Sequence, residues 1–198
     1  MTQSTRSSGA ALLTLLVALG VFSVTLYVPS MPAIAIEFGV PAAEIQSTLG
    51  LFLLGFALAQ LLVGPLSDRF GRRPVLLVGL LCYALVSLLC ALAPNVETLQ
   101  AGRWLQGMAA CTGPVVARAI VRDRFQGLEA MRIFAFIGTA LALAPAIAPI
   151  LGGFIEEWAG WRFNFVVLVT VGLLLFAITL RKIEETHQPG ADHSLHLR

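Results

Sequence analysis

The sequence predicts an all-α membrane protein: six transmembrane helices arranged as two inverted three-helix repeats. Three observations carry this. The 198 residues are 58% hydrophobic and only 12% charged, whereas soluble domains carry roughly 25% charged residues. The apolar residues fall into six runs, each near the roughly 20 residues that cross a bilayer. A charged knot between the second and third runs, GPLSDRFGRRP from Gly64 to Pro74, is echoed between the fifth and sixth. There Gly64, Asp68, Gly71 and Arg73 recur at one constant offset as Gly153, Glu157, Gly160 and Arg162, the kind of internal repeat that transporter folds carry.

The spans are read in order. The first covers about 10–28 and leaves through YVPSMPAIA, Tyr27 to Ala35. A cleaved signal peptide is the alternative, since Arg6 precedes the run, but the run is too long and lacks a small-residue cleavage site. The second covers about 45–66 and ends in the knot. The third covers about 74–93, starting at Pro74. The fourth covers about 99–120 and holds Arg103. The fifth covers about 133–154 and holds Pro145 and Pro149. The sixth covers about 163–180. No alternating stretch of barrel-strand length occurs. The short connections make consecutive helices antiparallel neighbours.

Residues 1–9 then form a cytoplasmic tail and residues 10–181 the bundle, with repeats at about 10–93 and 99–180. Residues 182–198 form a polar, disordered cytoplasmic tail. His187, His193 and His196 with Asp192 are read there as solvated residues, and no metal or cofactor is expected. Cys82, Cys90 and Cys111 lie inside apolar runs without metal or redox spacing, as small apolar fillers.

Orientation follows from the basic residues. With the N-terminus inside, Arg6, Arg69, Arg72, Arg73, Arg118, Arg122, Arg124, Arg132, Arg181 and Lys182 are all cytoplasmic, and the opposite loops offer only Arg162. Both termini are then cytoplasmic, in a multi-pass membrane protein. The two knots face opposite sides, so the repeats are inverted. The basic residues form no patch, which excludes nucleic acid as a partner.

Within the knot, Gly64 permits close helix approach. Asp68 caps a helix or pairs with an Arg. Gly71 allows a tight turn, and Arg69, Arg72 and Arg73 meet anionic headgroups. Arg103, deep in the fourth span, is expected to face a cavity, because a central arginine costs about 2.5–3.5 kcal/mol to insert; snorkelling to the headgroups is the alternative. Gln106 lies one turn on and shares its face. Thr25, Tyr27 and Gln60 line a substrate path or bond between helices. Pro145, Pro149, Gly152 and Gly153 bend the fifth span and let another helix cross closely. No acid lies deep in a span; Glu44 sits near the outer end of the second.

These motifs resemble those of the major facilitator superfamily, in particular the amino-terminal half of drug exporters of the bicyclomycin/chloramphenicol-resistance type. GPLSDRFGRRP matches the loop signature between helices two and three. YVPSMPAIA looks like the exit of helix one. GRWLQG, Gly102 to Gly107, matches the Arg-x-x-Gln-Gly signature of helix four, and VRD, Val121 to Asp123, its cytoplasmic end. PAIAPILGG, Pro145 to Gly153, resembles the antiporter signature of helix five.

The resemblance implies half of a major facilitator fold, exporting small amphiphilic compounds against protons by alternating access. It implies that Arg103 serves substrate binding or proton coupling, and that the knot latches two bundles, with Asp68 meeting Arg118 or Arg122. The sequence departs from the pattern in three places. Thr25 stands where relatives carry an acid, so either Glu44 serves as proton carrier, or the carboxylate belongs to another half, or coupling is absent. Ala144 and Ala148 stand where glycines are usual. The chain ends where the loop to a second bundle would begin.

A lone bundle would turn its Arg103 face and small-residue stripes toward lipid. Association with a second six-helix half is therefore expected, as a homodimer or with a separate chain. The alternative is a truncated or accessory membrane subunit that folds without transporting. An intramembrane enzyme is excluded, because no His precedes His187 and no Gly-x-Ser-x-Gly turn occurs.

Overall fold

An apolar run in hydrocarbon must satisfy its own backbone polar groups, which a helix does. The computed structural model describes residues 3–185, and every regular element among them is helical. The tail from 186 onward, with its three histidines, lies outside the described residues.

The first run folds as α1 (Gln3–Tyr27), a 3-10 turn at Val28–Ser30 and α2 (Met31–Phe38). Pro29 and Pro32 sit in the first turns of the last two elements, where a missing N–H costs least. YVPSMPAIA is thus a bend within a span rather than its exit. The apolar segment runs on from Gly9 to Phe38, past the expected boundary near 28. It stops at Gly39, whose φ of +65° closes the helix in the left-handed region.

Next come α3 (Ala42–Phe70) and α4 (Arg72–Ala91), then α5 (Val96–Ala110) and α6 (Thr112–Arg124), and finally α7 (Gly127–Ala159) and α8 (Trp161–Lys182). The second, fifth and sixth spans are therefore longer than the apolar runs predicted, because polar end residues continue the helix beyond hydrocarbon. The fourth span is broken at Cys111. Pro114 brings no N–H to the Ala110 carbonyl four residues earlier, which loosens one turn there. The bonds Cys111 N to Gly107 O and Val115 N to Cys111 O keep the two halves in line. Among the described residues, five segments are long and apolar enough to cross a membrane; the expected fourth span is this broken pair, which carries Arg103.

Two links are single glycines. Gly71 joins α3 to α4 with φ 97° and ψ 151°, and Gly160 joins α7 to α8 with φ 83° and ψ 163°. The sequence echo is thus also an echo of backbone conformation, and one that only glycine adopts freely.

α3 packs on α5, α1 on α7 and α4 on α8, while α1 and α6 meet centrally. α3 and α7 are flanking elements: 22% of each apolar window is buried, against 50% for the first span. The α3–α5 crossing is close because both partners present glycine. A Cβ on Gly107 would strike the Phe52 carbonyl, and one on Gly55 the Trp104 carbonyl. Gly64 differs from expectation, since a Cβ there meets nothing within 4 Å; no described helix approaches it. Gly107→Ala is therefore expected to cost about 1–3 kcal/mol by overpacking. Gly64→Ala should be neutral, or gain up to about 1 kcal/mol from helix propensity. Thermal unfolding of the two variants in detergent checks the contrast.

Candidate functional site

The bundle interior holds a polar column. Arg103, on α5, is fully buried. Its guanidinium lies 4.5 Å from the Tyr27 ring centroid and 4.4 Å from that of Phe52, with Phe165 at 5.9 Å. Such cation–π contacts strengthen where water is excluded. Arg103 Nη1 donates to Gln106 Oε1 at 2.5 Å, and Gln106 Nε2 donates to Ser87 Oγ at 2.7 Å. Ser87 Oγ donates to the Tyr83 carbonyl at 2.7 Å. The Tyr83 hydroxyl lies 2.6 Å from Ser23 Oγ, and that of Tyr27 lies 2.9 Å from Thr48 Oγ1. Arg103 Nε and Nη2 have no hydrogen-bond partner among the described residues, and no carboxylate there forms an ion pair with it.

This corrects the expected outward Arg103 face. The bundle seals the arginine within itself, because Tyr27, Phe52 and Phe165 from three helices close over the guanidinium. Arg103, Gln106 and Tyr27 do come together. Thr25 does not join them; its hydroxyl donates to the Val21 carbonyl at 2.9 Å. Gln60 and Glu44 are exposed on α3; the Glu44 backbone carbonyl accepts from Gln100 Nε2 at 3.4 Å and Ser47 Oγ at 2.6 Å, and the Glu44 N–H donates to the Pro41 carbonyl at 3.0 Å. Sequence reasoning missed Ser23, Thr48, Tyr83 and Ser87. Their signal was modest: polar residues at helical spacing inside apolar runs, Ser23 with Tyr27 and Tyr83 with Ser87.

At the Gly71 end of the bundle, Arg72 is the hub of an ionic clasp. Its side chain is 9% exposed and pairs with Asp68 and with Asp123 at 3.1 Å, while Nη1 also donates to Ser67 Oγ at 2.7 Å. Asp68 thus meets an arginine of its own loop, and Arg118 and Arg122 lie exposed. The expected charge order is reversed: α6 contributes the acid and the loop contributes the base. Arg118 and Arg122 fall on helix faces turned away from the loop, whereas Asp123 faces it. Arg69 stacks over Phe70, 5.3 Å from its centroid. Arg73 Nη2 donates to the Leu180 carbonyl at 2.9 Å. The Glu185 carboxylate accepts the backbone N–H of Arg72 at 3.0 Å and of Arg73 at 3.1 Å. A carboxylate at a helix N-terminus is favoured by unpaired amides and the helix dipole, so Glu185 serves as a distant cap for α4.

At the Gly160 end, Arg162 Nη1 donates to Glu37 Oε1 at 2.5 Å and Nη2 to the Ala93 carbonyl at 3.3 Å. Trp161 Nε1 donates to Glu37 Oε2 at 2.7 Å, and the Arg162 guanidinium lies 4.2 Å from the Trp161 centroid. The two clasps are built alike. Each follows a single-glycine link. Each takes its acid from the penultimate residue of a helix, Asp123 of α6 or Glu37 of α2. Arg73, starting α4, reaches a carbonyl near the end of α8; Arg162, starting α8, reaches one just past the end of α4. Glu37, which the sequence echo did not mark, takes the acidic part, and Glu157 stays exposed. The 20 residues of α4 put the clasps about 30 Å apart.

In α7, Ala144, Ala148 and Gly152 are buried one turn apart, while Pro145 is exposed and Pro149 half-buried. A Cβ on Gly152 would strike the Leu26 carbonyl, and Gly153 lies beside Pro29. This stripe is the face that seats α7 on α1, and alanines serve it as well as glycines except at Gly152. Asn164 Nδ2 locks the crossing by donating to Ser30 Oγ at 2.7 Å and to the Gly152 carbonyl at 3.2 Å.

Residues 13–194 match the family model described as Major Facilitator Superfamily. The chain is 42% identical over 179 residues to an uncharacterized MFS-type transporter, YdgK, of Bacillus subtilis, spanning 89% of this chain and 44% of that protein. It is 36% identical over 167 residues to a bicyclomycin resistance protein homolog of Haemophilus influenzae, spanning 84% and 42%. It is 41% identical over 144 residues to a chloramphenicol resistance protein of Pseudomonas aeruginosa, spanning 72% and 34%. The chain thus spans less than half the length of these relatives. Its fold is similar to a bacterial homolog of the human lysosomal transporter Spinster in an inward-facing conformation, with TM-score 0.76, 21% identity, and 98% of this chain over 47% of that one. It is also similar to the human organic anion transporter MFSD10, with TM-score 0.70, 22% identity, and 96% over 51%.

Proposed function

Because the chain belongs to the Major Facilitator Superfamily, a class of transporters and not of enzymes, we propose that it is one six-helix half of a proton-coupled exporter of small amphiphilic compounds. It works by alternating access together with a second six-helix bundle, in a bacterial inner membrane with both termini cytoplasmic.

The observation that carries this reading is the pair of clasps at opposite ends of the bundle. Two like-built restraints about 30 Å apart support two inverted three-helix repeats, 10–93 and 99–180, whose mirror-related forms have similar energies. The relatives named for bicyclomycin and chloramphenicol resistance support drug-like cargo. Arg103, Gln106 and Tyr27 are the proposed cavity residues, the rings parting to admit a ligand to Arg103 Nε and Nη2. No carboxylate among the described residues partners Arg103, which favours a proton carrier in the companion bundle. The flanks of α3 and α7 are its proposed seat. On α3 Leu54 and Leu61 are exposed, and Gly64 on α3 and Gly138 on α7 have open space over them.

A second reading, an accessory or truncated subunit, is favoured by one fact: the bundle closes over Arg103 without help. Chloramphenicol uptake into proteoliposomes under an imposed pH gradient separates the two. Gradient-driven uptake by the chain, as a dimer or with a separately expressed second bundle, is the expected result. A monomeric chain that moves no drug in either form would leave the accessory reading standing.

A further inference from the structure

α1 packs against both α7 and α8, and a surface opening follows its two seams with them. The opening has two apolar grooves. One, of about 350 Å³, runs along the α1–α8 seam past Ala18, Leu174 and Ile178. The other, of about 550 Å³, runs along the α1–α7 seam past Phe136 and Leu143. Leu15 borders both and is exposed between them. Two hydroxyls line the second groove, but Thr14 donates to the Ala10 carbonyl at 2.9 Å and Thr139 to the Ala135 carbonyl at 3.0 Å. Neither leaves a free donor in the cleft.

The foot of the cleft carries two cations, with Glu129 one turn before the one on α7. Lys182 lies one turn beyond Ile178 on α8, and Arg132 one turn before Phe136 on α7, so each extends a lining face. Both are exposed, and neither has an ion-pair partner among the described residues. A small hollow of about 40 Å³ at the base of the α1–α8 seam is lined by Lys182 and Arg124. Two apolar grooves that share Leu15, each with a cation one turn along its lining helix, match the chemistry of a two-tailed anionic lipid.

We propose that the α1–α7–α8 cleft binds one anionic phospholipid, its acyl chains in the two grooves and its phosphate between Arg132 and Lys182. Zwitterionic lipids fit the grooves equally well, so selectivity comes from the two cations alone. Each basic residue at the surface contributes about 1 kcal/mol toward an anionic headgroup, which for two is roughly thirtyfold in affinity. This inference rests on membrane insertion and not on the transport reading.

The test is native mass spectrometry of the purified 198-residue chain titrated with phosphatidylglycerol and with phosphatidylcholine of identical acyl chains. The expected result is a preference for phosphatidylglycerol of roughly thirtyfold. Arg132→Gln with Lys182→Gln, both at the surface, removes that preference. Ala18→Phe, which fills one groove, weakens both lipids together. Equal affinities for the two lipids, or a preference that survives the double substitution, overturns the proposal. So does efficient disulfide cross-linking between copies bearing Leu143→Cys, which would assign the cleft to a second copy of the chain.

Discussion

Arg103→Ala is expected to destabilise the bundle by about 2–4 kcal/mol, whereas Arg103→Met combined with Gln106→Leu is expected to leave stability intact and abolish the proposed export. The alanine variant opens a cavity among Tyr27, Phe52 and Phe165, and it leaves the Gln106 amide oxygen without its donor. A core cavity of that size and an orphaned buried acceptor are each costly. The double variant fills the space with flexible apolar side chains and removes the acceptor along with the donor. Ser87 loses only an incoming bond and keeps its own, to the Tyr83 carbonyl. A buried charge without a carboxylate is expensive, so its apolar replacement is neutral or favourable. If the cage exists for ligand or proton traffic, stability and export separate in the double variant. Thermal unfolding and drug accumulation in the same preparation check this, and unchanged export in the double variant would remove Arg103 from the mechanism.

The second large effect belongs to Arg72. A double-mutant cycle of Arg72→Ala with Asp123→Ala is expected to give a coupling of about 1–2 kcal/mol. That lies between the values for exposed and fully buried pairs, as the exposures of 9% for Arg72 and 30% for Asp123 dictate. The corresponding cycle of Arg72→Ala with Arg122→Ala should give about 0.3 kcal/mol or less, since the two share no contact. Asp68, whose side chain is 60% exposed, contributes less to stability. Under the proposed alternating access, in which the clasp opens and reforms, Asp68→Asn is expected to slow export while insertion stays normal. Equal couplings for Asp123 and Arg122 would return the hub role to the end-of-helix arginines.

Much of the architecture is legible in the residues alone. Apolar length and the absence of alternation dictate helices. The link glycines at 71 and 160 are marked by the echo, since a single residue turning one membrane helix into the next must take a positive φ. The membership of Arg103, Gln106 and Tyr27 in one site is also readable, because a deep arginine needs neighbours and Gln106 stands one turn away. Other features are not readable. Pro29 marks a bend rather than an exit, because the residues after it remain apolar enough to resume a helix and nothing local forces a stop before Gly39. Whether Asp68 meets Arg72 or Arg122 depends on which face of α6 turns to the loop, and helix rotation is set by packing partners elsewhere in the chain.

Sequence by itself determined that this is a helical membrane bundle, and that each end of it carries a glycine link followed by arginine, since length, hydropathy and backbone freedom are local properties. Only the tertiary structure decided which acids those arginines meet, that Glu37 and Glu185 complete the clasps, and that three aromatic rings rather than a carboxylate surround Arg103. Those pairings join residues up to 125 positions apart, and their choice is made by how helices cross, which no single segment encodes.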